Sequence, residues 1–172
     1  QGQRLVILGW FDDSCWVNRP SETAIMRDFA DKPPPGGTGL LFAMPFSLIR
    51  GLHNLRTPHR GCVATIGSFD GVHRGHRAII DQLLVQAQQL GLPSVVMVFE
   101  PQPFEFFAGD KAPARLMRLR DKIRVLSACG VDRVFCLQFN QRLRQLSAHD
   151  FIKQVLVDGL GIKSLVVGDD FR

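Results

Sequence analysis

The chain has 172 residues, of which 45% are hydrophobic and 22% are charged. This ordinary globular composition excludes a wholly disordered, collagenous or coiled-coil chain, and the longest apolar stretch, residues 40–49, is too short to cross a bilayer. A formal net charge of +5 favours anionic partners such as phosphorylated metabolites, nucleic acids or anionic lipids, without choosing among them.

The first 43 residues differ from the rest of the chain. They hold four basic and five acidic residues, a net charge of −1, whereas residues 44–172 hold 17 basic and 11 acidic residues, a net charge of +6. A Pro-Pro-Pro-Gly-Gly run at 33–37 stops any helix and is typical of a linker. We therefore expect residues 1–43 to be an extension outside the core, or alternatively a small element packed on it, and residues 44–172 to form the domain.

Apolar runs and helical spacing alternate from residue 62 onward. Four short apolar runs predict buried strands, at residues 62–67, 94–99, 133–137 and 164–168. The stretches between them predict helices, at residues 76–90, 116–129 and 147–160. Gly91 and Gly130 end the first two helices, and Ser147 with Asp150 predicts the cap of the third. This order predicts an α/β fold with a Rossmann-like parallel sheet and flanking helices.

The four cysteines suggest a reducing environment. They have no Cys-x-x-Cys spacing and no pattern of a disulfide framework, and they are Cys15, Cys62, Cys129 and Cys136. Reduced, mostly buried thiols in a cytoplasmic protein are therefore expected.

The segment after the first predicted strand carries the clearest chemical signal, because ligands bind beyond the carboxyl ends of parallel strands. Gly67, Gly71 and Gly75 are four residues apart between a strand and a helix. Glycine there permits positive φ and close approach of a ligand, and the start of the helix favours phosphate. His73 and His76 add imidazole donors. Neither a Gly-x-Gly-x-x-Gly nor a Gly-Lys-Ser/Thr motif is present.

The histidine pair has three interpretations. It is a structural pair, part of a metal site, or a phosphate-binding pair. A metal site usually needs three protein ligands, and no third His or Cys is near in the sequence. The combination of histidine, glycine and helix start favours phosphate handling.

Three motifs then resemble one family. Residues 67–76, Gly-Ser-Phe-Asp-Gly-Val-His-Arg-Gly-His, resemble the signature of the His-x-Gly-His nucleotidyltransferases, in the form found in the FMN adenylyltransferase module of prokaryotic bifunctional FAD synthetases. Residues 99–103, Phe-Glu-Pro-Gln-Pro, are similar to that family's Phe-Asp/Glu-Pro-x-Pro loop, and residues 166–171 to its Val-Gly-x-Asp/Asn-Phe segment. The resemblance runs from about residue 49 to residue 172.

The sequence departs from this family in two ways. Gln102 stands where many members have histidine. The family also continues with an Ile-Ser-Ser-Thr-x-x-Arg motif that binds ATP phosphates, and then with a riboflavin kinase domain. Neither is in this sequence, so we expect an adenylyltransferase module that is truncated and incomplete at its C-terminus.

The resemblance implies that ATP and FMN react to give FAD and pyrophosphate, with Mg²⁺ accompanying ATP. It implies His73 and His76 as catalytic residues, and it implies a nucleotide site formed by Gly67, Phe69, Asp70, Gly71, Gly75 and Asp170. Asp170 is also the candidate metal contact, whereas Asp70 is expected to fix the loop by accepting hydrogen bonds.

The aromatic segment after the second strand is the candidate FMN site, with contacts from Phe99, Pro101, Gln102, Pro103 and Phe104. Aromatic faces pack well on a flavin ring, and Phe106 and Phe107 add to the group, although ordinary packing is the alternative for each ring. Residues 111–124 hold six basic residues and one acidic residue. One interpretation is that they steer an anion, but a solvated helix face is the plainer interpretation for Arg118, Lys122 and Arg124. A nucleic-acid role is not expected, because no reading helix or basic surface with interleaved aromatics is visible.

Two other functions compete with this one. The first alternative is another His-x-Gly-His transferase, such as a pantetheine-phosphate adenylyltransferase or a cytidylyltransferase. The second is a nucleotide- or flavin-binding fragment without catalysis. The Phe-Glu-Pro-Gln-Pro loop argues against the former.

Overall fold

The computed structural model describes residues 46–168 of the chain, and its centre is a sheet of five parallel strands. The strands are β1 (Ser47–Arg50), β2 (Val63–Ile66), β3 (Ser94–Glu100), β4 (Arg133–Gln138) and β5 (Ser164–Val166). They lie in the order β1-β4-β3-β2-β5, and every neighbouring pair is parallel. The predicted α/β class and parallel sheet are confirmed, whereas the predicted extension at residues 1–43 lies outside the described residues.

Helices fill the connections between the strands. They are α1 (Arg74–Leu90), α2 (Pro103–Ala108), α3 (Leu119–Ala128), α4 (Gln141–Arg144) and α5 (Ala148–Phe151), which a π-helical stretch (Ile152–Leu160) continues. Three-residue 3-10 turns lie at Leu52–Asn54, Thr57–His59 and Gly109–Lys111. None of the helices between residues 46 and 168 is long and apolar enough to span a membrane.

The predicted helix ends are close to the observed ones. Gly91 has a φ of 61° and caps α1, and the Ser147 hydroxyl accepts a hydrogen bond of 3.0 Å from the Asp150 N–H at the start of α5. The helix predicted from residue 116 starts at Leu119, because the preceding residues contact the loop after β2 instead. The sequence analysis missed β1, α2 and α4, each of which is six residues or fewer.

The two faces of the sheet pack into separate cores, because alternate strand residues point to opposite sides. On one face Met97 packs with Leu156 of the π-helical stretch. On the other face Val96 packs with Leu83 of α1 and Leu126 of α3. Each of these five side chains is at most 1% exposed, and burial of each contributes about 1.5–3 kcal/mol. Coverage of both faces explains why the central strands are continuous apolar runs.

The direction of the chain across the sheet reverses twice, first at β2 and again after β4. From β2 the chain steps to β3 and β4, and it then returns to the other side of β2 to form β5. The carboxyl ends of β2 and β5 therefore flank the kind of crevice in which open parallel sheets bind ligands. Residues 67–73, which connect β2 to α1, lie at this crevice.

Candidate active site

The connection between β2 and α1 has an unusual backbone. Three residues have positive φ, namely Phe69 at 47°, Gly71 at 80° and Val72 at 34°. Glycine adopts this region readily, but a non-glycine residue there costs on the order of 1–3 kcal/mol. The side chains of Phe69 and Val72 are 1% and 4% exposed and pack in the core beneath α1 and α3. Their burial offsets the backbone cost and holds the loop in one shape.

Polar contacts from the segment that leads into α3 fix the same loop. The Asp70 carboxylate accepts hydrogen bonds from the N–H groups of Leu116, at 2.9 Å, and Met117, at 2.8 Å. The Lys122 ammonium donates to the Ser68 carbonyl. Both oxygens of Asp70 are therefore engaged by the backbone, which is the loop-fixing arrangement expected of this carboxylate.

The burial of Lys122 corrects one sequence-based interpretation. Its neighbours Arg118 and Arg124 are exposed, as a solvated helix face requires, but Lys122 is only 2% exposed. The hydrophilic run alone does not distinguish these positions, because the burial of Lys122 depends on how α3 packs beside the loop after β2.

The two histidines of the motif stack at the first turn of α1. His73 is the N-cap residue, and its ring centroid lies 3.8 Å from that of His76, with the planes inclined by 23°. The ring of Phe69 lies 4.9 Å from that of His76. His73 is exposed, whereas the Nδ1 atom of His76 is buried and has no hydrogen-bond partner among residues 46–168. Two imidazoles thus lie side by side at the end of the helix that favours anions.

Glycine leaves room for the rings of His73 and Phe69. A Cβ atom on Gly75 would lie 3.2 Å from Cε1 of His73, and one on Gly67 would lie 2.9 Å from Cε2 of Phe69. The imidazole and phenyl rings therefore occupy the space that side chains at these positions would fill. The glycine spacing seen in the sequence serves the packing of the site itself as well as ligand access.

The start of α1 is electrostatically positive. The helix has 17 residues and no acidic residue in its first turn, so its unpaired N–H groups and dipole are not neutralised locally. Burial lowers the pKa of His76, nearby His73 and Lys122 lower it further, and Asp70 acts in the opposite direction. His76 is therefore a neutral imidazole at neutral pH, with one N–H donor.

The end of β5 packs against the same helix. A Cβ atom on Gly168 would lie 2.7 Å from Cδ1 of Ile79, so glycine allows the strand end to approach α1. Asp170, the predicted nucleotide or metal contact, lies outside the described residues. Within residues 46–168, no three His, Cys, Asp or Glu side chains come together as a metal site.

The loop after β3 is held by a charged cluster. Pro101 follows a cis peptide bond, and Gln102 caps α2, where its N–H donates to the Glu105 carboxylate at 2.8 Å. Arg115 bonds to the carboxylates of both Glu105 and Glu100, and its hydrogen bond is the main reason that the pKa of Glu105 is lowered. The side chain of Gln102 is 1% exposed, and its amide oxygen and nitrogen have no partner among the described residues.

The aromatic rings of this loop pack largely on one another. Phe99 and Phe106 each lie edge-on to Phe139, with centroid distances of 5.8 and 5.2 Å. Phe104 and Phe107 are 36% and 60% exposed. The sequence analysis missed Phe139, although its position just after a predicted strand places it at the same edge of the sheet. Mutual packing accounts for the buried rings and leaves the exposed faces for a ligand.

A cavity of about 300 Å³ lies at the carboxyl ends of β1, β3 and β4. Its lining combines charged, amide and apolar side chains, and the residues are Arg50, Gly51, His53, Asn54, Glu100, Leu119, Cys136 and Gln138. The sequence analysis gave His53 no role, since no motif contains it. It did not predict β1, whose end carries Arg50.

Sequence comparisons relate the chain to one family of proteins. The profile of a family described as FAD synthetase matches residues 55–172. A bifunctional riboflavin kinase/FMN adenylyltransferase of Pseudomonas fluorescens is 62% identical over 125 residues, which are 73% of this chain and 40% of that protein. Proteins of the same name from Escherichia coli and Haemophilus influenzae are 58% and 50% identical, over 73% of this chain and 40% and 41% of their own lengths. The chain thus spans about 40% of the length of these relatives.

One solved structure shows the same fold. A protein described as a macrolide-efflux protein from Streptococcus pneumoniae superimposes with a TM-score of 0.61, over 74% of this chain and 44% of that one. At 24% sequence identity, this similarity supports the architecture alone.

Proposed function

Because the chain belongs to the FAD synthetase family, we propose that it transfers AMP from ATP to FMN and releases FAD and pyrophosphate. The observation that carries the proposal is the stacked pair of His73 and His76 at the start of α1. This arrangement concentrates imidazole and backbone donors at the crevice between β2 and β5.

The reaction is an in-line substitution at phosphorus. An oxygen of the FMN phosphate forms a bond to the α-phosphorus of ATP, the bond from that phosphorus to the bridging oxygen of the β-phosphate breaks, and pyrophosphate leaves. The protein accelerates such a step by positioning the reactants and by stabilising charge on the phosphoryl oxygens. No covalent intermediate with the protein is needed.

His73 and His76 hold the reacting phosphates. Neutral His76 donates one hydrogen bond, and exposed His73 offers a second imidazole at the same place. The free N–H groups of the first turn of α1 add further donors. The backbone from Gly67 through Phe69, Asp70 and Gly71 to Gly75 lines the nucleotide.

Mg²⁺ supplies charge neutralisation on the ATP phosphates when it is bound. The described residues fit this role only through the nucleotide, because both oxygens of Asp70 already accept backbone hydrogen bonds. Mg²⁺ commonly uses substrate phosphates with one or two carboxylates, and Asp170 is the candidate for such a carboxylate.

FMN occupies the loop after β3, where Phe99, Pro101, Gln102, Pro103 and Phe104 are grouped. The exposed part of Phe104 suits the face of a flavin ring. The unpartnered amide of Gln102 suits a polar edge of the same ring, since a buried amide is stabilised by a hydrogen-bonded partner.

The test is FAD formation. The purified chain, and a version extended to the full length of its relatives, are incubated with ATP, Mg²⁺ and FMN, and flavins are separated by chromatography. We expect FAD from the extended protein, and no product when CTP replaces ATP or phosphopantetheine replaces FMN. A product from either of those substrates would support another nucleotidyltransferase and contradict the proposal.

Two further proposals concern the full-length protein and the chain itself. We infer from the names of the relatives that the full-length protein is also a riboflavin kinase. The second candidate function is binding of a nucleotide or flavin without catalysis. ATP binding by the chain without FAD formation, together with activity of the extended version, would assign this role to residues 1–172.

A further inference from the structure

Lys122 is a buried cation without an ion-pair partner. Its side chain is 2% exposed, a rare environment for lysine, and burial lowers its pKa. The carboxylates of Asp70, Glu100 and Glu105 act in the opposite direction, but none forms a salt bridge with Lys122 within residues 46–168. The direct partner of the ammonium is the carbonyl oxygen of Ser68.

This partner lies in the loop that the nucleotide site depends on. Ser68 precedes Phe69, whose φ of 47° is unfavourable for an aromatic residue. A residue in this conformation persists only when its surroundings determine it strongly. The Phe69 ring is anchored in the core, and Lys122 anchors the peptide group on its N-terminal side.

The geometry of that peptide group determines what the anchor does. In a trans peptide the carbonyl and the N–H point in opposite directions. Because the Ser68 carbonyl points to Lys122, the Phe69 N–H points away from the ammonium. None of the backbone hydrogen bonds among the described residues uses this N–H, so it remains free to donate to a ligand oxygen.

We propose that Lys122 is a positioning residue of the nucleotide site, which holds the Ser68 carbonyl so that the Phe69 N–H donates to a phosphate oxygen of ATP. The inference rests on the proposed function, since it requires ATP at this loop. Lys122 itself is too buried to touch the nucleotide. It acts through the backbone of the loop, whereas α1 determines the positions of His73 and His76.

The test compares Lys122→Met with the unsubstituted chain. Methionine keeps the length of the side chain and removes the charge and the donors. We expect the dissociation constant of Mg²⁺-ATP, measured by calorimetry, to rise at least about tenfold, the loss typical of a hydrogen bond of a charged group. We expect the melting temperature to be unchanged or higher, because replacement of a poorly paired buried charge by an apolar side chain is often neutral or stabilising. Lys163→Met, at an exposed site on the opposite end of β5, is the matched control and leaves both quantities unchanged.

A nuclear magnetic resonance measurement reports on the loop directly. On addition of Mg²⁺-ATP, the Phe69 amide signal of the unsubstituted chain shifts downfield, and in Lys122→Met this shift is lost. Equal ATP affinity and an equal Phe69 shift in the variant would overturn the role of Lys122, and so would a variant that loses its fold along with ATP binding. The same measurements are made on a version extended to the full length of the relatives. If that unsubstituted protein does not bind Mg²⁺-ATP, the proposed function itself fails, whereas normal ATP binding that Lys122→Met leaves unchanged refutes the role of Lys122 alone.

Discussion

His76 packs against the rings of both His73 and Phe69 at the first turn of α1. Its position suits a phosphate site because two neighbouring rings restrict the imidazole before a ligand arrives. Burial, His73 and Lys122 lower its pKa, so it is a neutral donor at neutral pH. We therefore expect loss of this ring to affect the proposed reaction more than it affects the core.

The first prediction concerns His76→Ala in a catalytically complete version of the protein. We expect the rate of FAD formation to fall by about 10²- to 10³-fold, the usual cost of losing one preorganised donor to transition-state charge. The melting temperature should change little. His149→Ala, at an exposed histidine outside the motifs, is the control and retains full activity. A His76→Ala protein with full activity, or one that simply unfolds, would refute the assignment.

The second prediction concerns stability and pH. The pKa of His76 is lower in the folded protein than its usual value of about 6.5, so the unfolded chain binds more protons as the pH falls through this range. The free energy of unfolding should therefore decrease as the pH is lowered through about 6.5 toward the folded pKa. Denaturant titrations between pH 7.5 and 5.5 should show a smaller decrease in His76→Gln than in the unsubstituted protein. An identical decrease in both proteins would show that His76 does not contribute.

Single residues differ in how far the sequence predicts them. His73 and His76 can be identified from the sequence because their spacing and neighbouring glycines form a motif between a predicted strand and a predicted helix. The burial of Lys122 cannot be predicted from the sequence, since it depends on which loop packs beside α3. The same is true of Phe139, which joins the aromatic group only when the ends of β3 and β4 are placed side by side.

At the scale of elements, the site is a junction between β2, its loop and α1. Gly75 is central because it lies inside the first turn of α1, where a Cβ atom would come within 3.2 Å of Cε1 of His73 and the ring would have to shift slightly. Helix formation and site geometry therefore make opposite demands at this position.

The third prediction concerns Gly75→Ala, which favours the helix but disturbs the site. Gly75→Ala should stabilise α1 by up to about 0.5–1 kcal/mol, because alanine loses less conformational entropy in a helix than glycine. It should also lower the rate of FAD formation by roughly tenfold or more, since the His73 ring must move. Gln82→Ala, at an exposed site in the middle of α1, is the control for a change in helix propensity alone. Melting curves and initial rates of the two variants provide the comparison, and an active, stabilised Gly75→Ala protein would contradict the account.

Apolar strands and helices with clear periodicity were predictable, whereas three short elements were not. The strands β2 to β5 are apolar runs buried on both faces, and α1 shows helical spacing over 17 residues. By contrast β1 has four residues, Ser-Leu-Ile-Arg, too few to show a period. Its pairing with β4 comes from the tertiary structure. A helix was predicted over residues 147–160, but the spacing of apolar residues does not indicate that the part after α5 is π-helical.

At the scale of the whole described domain, one segment links the two candidate substrate loops. Residues 115–122 contact the loop after β3 through Arg115. They contact the loop after β2 through the backbone bonds to Asp70 and through Lys122. The two loops that we propose for ATP and FMN are therefore fixed to a common support. This arrangement suits a reaction in which two phosphorylated substrates must be aligned with each other.

The most direct test of the central claim follows the phosphorus atoms of ATP. The protein, extended to the full length of its relatives, is incubated with FMN, Mg²⁺ and ATP labelled at either the α- or the γ-phosphorus. We predict that the α label appears in FAD, that the γ label appears in pyrophosphate, and that His76→Ala suppresses both products together. Absence of the α label from FAD, or transfer of the γ label to a flavin formed from FMN, would contradict adenylyl transfer at this site.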